Sequence, residues 1–271
     1  MKNKETVIAS EAKQSLVKDA RLLCLLRRLA MTLILVFSSS PLFADEAALL
    51  STAHKQYEAG HYEEALKVYT EVAQTIPNGH VYYNIGNCYV RLGEIGKALF
   101  YYKKSQRLIP YDPELIANIN YVRGLTKDTI DRQSFESISQ KLFFWYYVFN
   151  FKTLISITII INFLFFLFLF LRYLKINNEY LSWIFYVLFI LNLIFISTSA
   201  VKYYEECVIK EGVVITDEID IRSGFGITNS VLFKLHAGAE FNLLEENDGW
   251  VKIELTDGKK GWVSTKDVIY E

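Results

Sequence analysis

Hydrophobic positions follow three different rhythms along this chain. From Ala47 to Tyr121 they recur at three- and four-residue intervals, the period of helices with one buried face. Residues 153–171 and 180–201 are continuous apolar runs without a charge, each long enough to cross hydrocarbon. Beyond Val201 the pattern turns short and alternating, as in Val213-Val214-Ile215, Ile219-Asp220-Ile221-Arg222 and Trp250-Val251-Lys252-Ile253-Glu254-Leu255, which predicts β-strands. The expected architecture is a multi-domain membrane protein: an α-helical region, a pair of membrane helices and a small all-β domain.

The helical part repeats itself. Gly60-His61-Tyr62-Glu63-Glu64-Ala65-Leu66 returns 33 residues later as Gly93-Glu94-Ile95-Gly96-Lys97-Ala98-Leu99, and Tyr69/Tyr102 and Pro77/Pro110 keep the same step. Each mark has a physical task. Gly60 and Gly93 supply turns, Ala65 and Ala98 allow close helix approach, and Pro77 and Pro110 end the second helix of each unit. This period, with Tyr82-Tyr83-Asn84-Ile85-Gly86-Asn87-Cys88-Tyr89 ahead of the second turn, resembles the tetratricopeptide repeat family. The resemblance implies a helical solenoid over 45–125: two units, then a capping helix at Asp112–Tyr121 that lacks its partner helix.

Tetratricopeptide stacks bind peptides on the face formed by the first helix of each unit. In the second unit that face carries His80, Asn84, Asn87 and Arg91 at spacings of four, three and four, with Tyr83 beside them. These five are the candidate partner-binding residues, and a merely solvated polar face is the competing reading of the same stripe. Leu50 and Glu114 stand where the carboxylate-clamp subfamily has cations, so recognition of a C-terminal carboxylate does not carry over.

Only residues 172–179 separate the two apolar runs, room for a turn and no more. An antiparallel transmembrane hairpin is therefore expected, with both flanking modules in one compartment. Trp145, Tyr146 and Tyr147, in the linker and juxtamembrane segment 126–152, suit the membrane boundary. Arg172 and Lys175 favour a cytoplasmic loop, while Lys141, Lys152 and Lys202 oppose it. Asn162 and Asn192 lie near mid-span, which predicts an interhelical hydrogen bond of roughly 0.5–2 kcal/mol. Neither run holds an ionisable group, which argues against a polar pathway.

In the β region Asp257-Gly258 marks a tight hairpin turn. Ile219–Gly224, Val231–Gly238, Trp250–Ile253 and Asp257–Val263 together resemble, in that order, the bacterial SH3 family. That resemblance implies an SH3-like barrel over 208–271 and, by family habit, binding of peptidoglycan or peptides. Trp250 and Trp262 serve either as core packing or as a ligand platform. The acidic loop and aromatic groove of eukaryotic SH3 domains are not evident, so polyproline recognition does not carry over. His236 is expected at the surface, at a strand end.

Charge and cysteine usage narrow function rather than fold. With 29 basic and 30 acidic side chains there is no cationic surplus to neutralise phosphates, so nucleic acid is not an expected partner. The four histidines are scattered, no nucleophile elbow is recognisable and no glycine-rich phosphate loop precedes a helix. A non-enzyme without catalytic residues, cofactor or metal is expected. Cys24, Cys88 and Cys207 lack C-x-x-C spacing; Cys88 and Cys207 are either small buried side chains or a pair joining the modules. Lys18, Arg21, Arg27 and Arg28, the apolar Leu29–Phe37 and then Ser38–Ala44 read as a signal peptide over 1–44, cut before Asp45. A start at Met31 would remove its charges.

The whole order resembles the E member of the bacterial Bat aerotolerance family. The resemblance implies a scaffold with periplasmic modules on a multi-pass inner-membrane anchor, assembling with von Willebrand factor A-type membrane proteins and a MoxR-type ATPase in oxidative-stress tolerance. Two other readings stay open. One is a cell-wall adaptor whose SH3-like domain binds peptidoglycan; the other is an unexported chain with both modules in the cytoplasm.

Overall fold

The computed structural model describes residues 42–75, 77–128, 142–173 and 179–271. The expected signal segment lies almost wholly outside the described residues, as do 129–141 of the linker and 174–178 of the short loop. Residues 50–271 form one compact unit, and every contact below lies within it.

Five helices come first: α1 (Leu42–Glu58), α2 (Tyr62–Thr75), α3 (Gly79–Arg91), α4 (Ile95–Leu108) and α5 (Pro113–Leu125). Their limits follow local chemistry. Gly60 and Gly93 adopt φ of 83° and 81°, the left-handed conformation that closes each helix pair at no steric cost. Asn78 caps α3 by accepting from His80 N–H at 2.9 Å, and Asp112 caps α5 by accepting from Leu115 N–H at 2.9 Å, with Pro113 in the first turn. Ala65 and Ala98 are fully buried where paired helices meet. A Cβ on Gly86 would lie 2.5 Å from the Tyr102 ring, so only glycine lets that tyrosine cross α3.

The stack has two cores. Ala53, Ala65, Tyr69, Val72, Ile85 and Cys88 build the first. The second joins Leu99 and Tyr102 of α4 to Leu115, Ile119 and Val122 of α5, and takes in Val213 from the β region. Full burial of each aliphatic side chain here contributes about 1.5–3 kcal/mol.

A short helix, α6 (Phe144–Val148), precedes α7 (Phe151–Tyr173) and α8 (Glu179–Tyr203). The stretches Phe151–Tyr173 and Trp183–Val208 have mean hydropathies of 2.8 and 2.3 and are long and apolar enough to cross a membrane. Asn150 caps α7, accepting from Thr153 N–H at 2.9 Å. Near the end of α8 the buried Lys202 donates to Tyr146 O at 2.7 Å and Phe149 O at 2.6 Å, satisfying the carbonyl end of α6. The expected Asn162–Asn192 bond is not formed. Asn192 is buried with its Nδ2 unpartnered, and the polar link between the helices joins Thr158 Oγ1 to Ser199 Oγ at 2.7 Å. The short hydroxyls, carried on Cβ, meet across the helix contact, while the longer amide finds no partner there.

The strands are β1 (Glu211–Val214), β2 (Glu218–Arg222), β3 (Val231–His236), β4 (Glu240–Asn247), β5 (Trp250–Glu254), β6 (Lys260–Ser264) and β7 (Val268–Tyr270). They form one antiparallel sheet in the order β3-β2-β6-β5-β4-β1-β7. The sheet is not closed into the expected barrel: β3 and β7 are its edges. It nevertheless curls around a single core to which all seven strands contribute, from Val214 and Ile221 to Val263 and Val268. Bulges at Ile221/Arg222 and Leu243/Glu245 help it bend. Gly258, at φ 83°, turns β5 into β6 as the Asp257-Gly258 pair suggests.

Alternation along β1 joins sheet to stack. Val214 points into the sheet core and its neighbour Val213 into the helical core beside Leu115 and Ile119. The strand thus lies against α4, beside the core that α4 shares with the capping helix α5. Gly96 on α4 and Gly238 after β3 permit the approach, since added Cβ atoms would lie 2.2 Å from Val214 O and 2.3 Å from Thr126 Cγ2. Charges rim the contact. Lys103 Nζ lies 2.9 Å from Glu211 and 3.1 Å from Glu240, Lys104 pairs with Glu271 at 2.7 Å, and Arg123 forks onto Glu240 at 2.9 and 2.8 Å. His236 ends β3 as expected, but it is half-buried rather than at the surface: its N–H donates to Asp128 Oδ2 at 2.7 Å, and its Nδ1 lies 2.9 Å from Asp128 Oδ1.

Candidate functional site

All five candidate residues lie on α3, whose thirteen residues keep His80, Asn84, Asn87 and Arg91 on one stripe. The structure divides them by what they touch. His80 is exposed in the first turn, and Asn84 is half-buried one turn on. Arg91 is exposed at the far end, its Nε donating to the Tyr57 hydroxyl of α1 at 3.3 Å. Tyr83 and Asn87 belong to a network between helices. Asn87 Oδ1 accepts from the Tyr102 hydroxyl at 2.6 Å and from Asn118 Nδ2 at 3.2 Å, and the same Nδ2 donates to the Tyr83 hydroxyl at 2.9 Å.

That network ties α3, α4 and α5 together and fixes what remains for a ligand. Both amide protons of Asn118 are committed, which leaves its Oδ1 as an acceptor and the Tyr83 hydroxyl proton as a donor. Burial raises the Tyr83 and Tyr102 pKa values, so both stay neutral hydroxyls at physiological pH. The face is thus a mostly polar strip with the cation Arg91 at one end and the exposed carboxylate of Glu114, one turn ahead of Asn118, at the other. Paired donors and acceptors of this kind suit the amides of an extended peptide better than a charged group.

Tyr57, Asn118 and Tyr121 are missing from the expected set. Tyr57 holds Arg91, Asn118 holds Asn87 and Tyr83, and Tyr121 is 60% exposed on α5. The repeat carried the signal: Asn118 lies 34 residues after Asn84, Tyr121 lies 34 after Asn87, and Tyr57 lies 34 before Arg91.

In the sheet, Trp262 is buried, with the edge of Phe225 5.6 Å away and Lys252 Nζ 6.0 Å above its ring. It packs rather than standing free. What projects is the loop between β2 and β3, where Phe225 and Ile227 are exposed. Arg222 holds that loop by donating to Ile227 O at 2.8 Å and Asn229 O at 2.9 Å. Cys88 and Cys207, the two cysteines among the described residues, are both free, the first buried and the second exposed, which excludes the bond between modules. Burial pushes the Cys88 thiol up to about 12. Among the described residues no cluster of three or more His, Cys, Asp and Glu side chains could hold a metal ion.

These features define two kinds of interaction module, a stack of helix pairs and a small curled sheet. Comparison with known families agrees: residues 79–112 match the tetratricopeptide repeat and residues 217–269 the bacterial SH3 domain, both non-catalytic modules. A stretch of 53 residues in the SH3 region is 40% identical to YrvJ of Bacillus subtilis (strain 168), which is named as an N-acetylmuramoyl-L-alanine amidase. The similarity covers 20% of this chain and spans about a tenth of that relative's length.

Proposed function

We propose that this chain is a non-catalytic adaptor held in the bacterial inner membrane by α7 and α8, with its soluble modules in the periplasm. In this reading 45–125 is the partner-binding module, 153–171 and 180–201 are the spans, and 208–271 is the SH3-like domain. The observation that carries it is the side of the stack the sheet occupies. Strand β1 packs on α4, a second helix, and leaves the first-helix face with Arg91, Tyr83, Asn118 and Tyr121 available to a protein segment. The order of modules supports a role like that of the E member of the Bat aerotolerance family, with von Willebrand factor A-type membrane proteins and a MoxR-type ATPase as partners.

The test is cross-linking in the native cells, purification in mild detergent and mass spectrometry, with a His80→Ala/Arg91→Ala double variant alongside. Recovery of von Willebrand-type proteins or the ATPase, lost in the variant, is the expected result. Recovery of wall enzymes and muropeptides alone would sink the reading. That outcome would favour a wall-binding adaptor, a second reading supported by the similarity of the SH3 region to part of a protein named as an amidase and by the projecting Phe225 and Ile227.

A further inference from the structure

The helical stack is pinned to the start of α7, and the residues just ahead of α7 are in turn held to the end of α8. Asn150, the cap of α7, donates through Nδ2 to Leu108 O at 2.7 Å, and Leu108 is the last residue of α4. Lys202, in the last turn of α8, grips Tyr146 O and Phe149 O just ahead of α7. The α4–α5 turn is thereby held at the level where α7 becomes apolar. A cleft of about 320 Å³ separates them, lined by Pro110, Tyr111, Phe149 and Asn150.

Large side chains at this level are left uncovered. Tyr147 of α6 is 43% exposed, and Phe144, Tyr203 and Tyr204 are also exposed. These four adjoin the ends of α7 and α8 in sequence. Tyr111 does not: it comes from the stack, yet it is 70% exposed beside the same helix start. A tyrosine with an apolar ring and a polar tip suits the layer between hydrocarbon and water. Pro110 fixes the backbone ahead of it, so the ring is presented by a stiff turn. Of the cations near the turn, Lys103 and Arg107 both pair with Glu211, at 2.9 and 3.6 Å.

We propose that the α4–α5 turn is a lipid-contacting element: Tyr111 enters the phospholipid headgroup layer and seats the helical stack on the bilayer. This rests on the reading of α7 and α8 as membrane spans, with which the aromatic surface is continuous. The stack then has one fixed height and tilt above the membrane, and its partner-binding face cannot swing on a tether.

The test places the photo-cross-linking residue p-benzoylphenylalanine at position 111, 94 or 166 in separate full-length proteins, in phosphatidylcholine–phosphatidylglycerol nanodiscs. Glu94 stands just ahead of the opposite end of α4, about 20 Å away along the helix at 1.5 Å per residue. Phe166 is exposed within α7. Lipid adducts, counted by mass spectrometry, are expected at 166 and at 111, several-fold above the yield at 94. Adducts at 166 with none above background at 111, or equal yields at 111 and 94, would overturn the seating and leave the spans standing. No adduct at 166 would overturn both.

Discussion

Replacing Gly96 with alanine separates two properties that most substitutions confound. Its Cβ would lie 2.2 Å from Val214 O, 2.9 Å from Ile215 Cα and 3.1 Å from Val214 C, all backbone atoms that cannot swing aside. Ordinary contact begins near 3.4 Å, so strand β1 must retreat by roughly 1.2 Å. A shift of that size lengthens the Lys103–Glu211 and Lys104–Glu271 pairs, now 2.9 and 2.7 Å, and draws Val213 from the helical core. Overpacking of this kind costs about 1–3 kcal/mol, and one to two kcal/mol is roughly a 5- to 30-fold change in an equilibrium. Alanine also favours helix over glycine by about 1 kcal/mol. That gain applies to α4 whether or not the sheet is docked, so it does not offset the lost docking. Carbodiimide, which joins only carboxylates and amines already in contact, reads the two pairs directly. In Gly96→Ala both cross-links should fall several-fold while the Lys234–Glu218 cross-link inside the sheet holds steady. Unchanged interface cross-links, with only a rise in thermal midpoint, would refute the account of how sheet and stack are joined.

Asn118→Ala removes two hydrogen bonds that brace α5 against α3 and should lower stability by about 1–3 kcal/mol, read as an earlier midpoint in the helical circular dichroism; an unmoved midpoint would show that the amide is dispensable. Alkaline pH should destabilise the fold. Cys88 and Tyr69 are raised by burial from 9.0 and 10.0 to about 12, so their contribution is complete below pH 9 and is lost as pH rises towards 12, where the unfolded chain releases protons that the folded one keeps. Denaturant midpoints across that window check the sign, and Cys88→Ala should flatten the early part of the fall. Iodoacetamide at mild pH should label Cys207 and spare Cys88 until unfolding, and equal labelling rates would contradict the burial of that thiol.

What the sequence disclosed was local and periodic. Gly60, Gly93 and Gly258 announce turns because positive φ is a property of one residue, and the 33-residue echo from Gly60 to Gly93 exposes helix pairs because each pair repeats the same packing task. What it concealed depends on distant partners. Gly96 reads as a weak helix former until Val214 O is found against it, and Val213 reads as an ordinary strand residue until its neighbours prove to be helical. Asn87 looks like a ligand-facing amide, yet Tyr102 and Asn118 claim its oxygen. Asn162 and Asn192 matched in depth, but depth does not set rotation about a helix axis, and Thr158 and Ser199 make the bond instead. The barrel stayed open for a similar reason: alternation places residues on faces but does not decide whether the edge strands meet.

The position of β1 also bears on how such a molecule can change over generations. Repeat arrays gain and lose length by duplication, because each new unit offers the next the same surface it received. Here the core that α5 shares with α4 already takes in Val213, and the Arg123–Glu240 fork ties α5 to the sheet. A unit copied in after α5 would have to break that tie, parting two modules to enlarge one. The C-terminal side of the stack is a sealed end, and lineages that vary the number of repeats should do so upstream of α3.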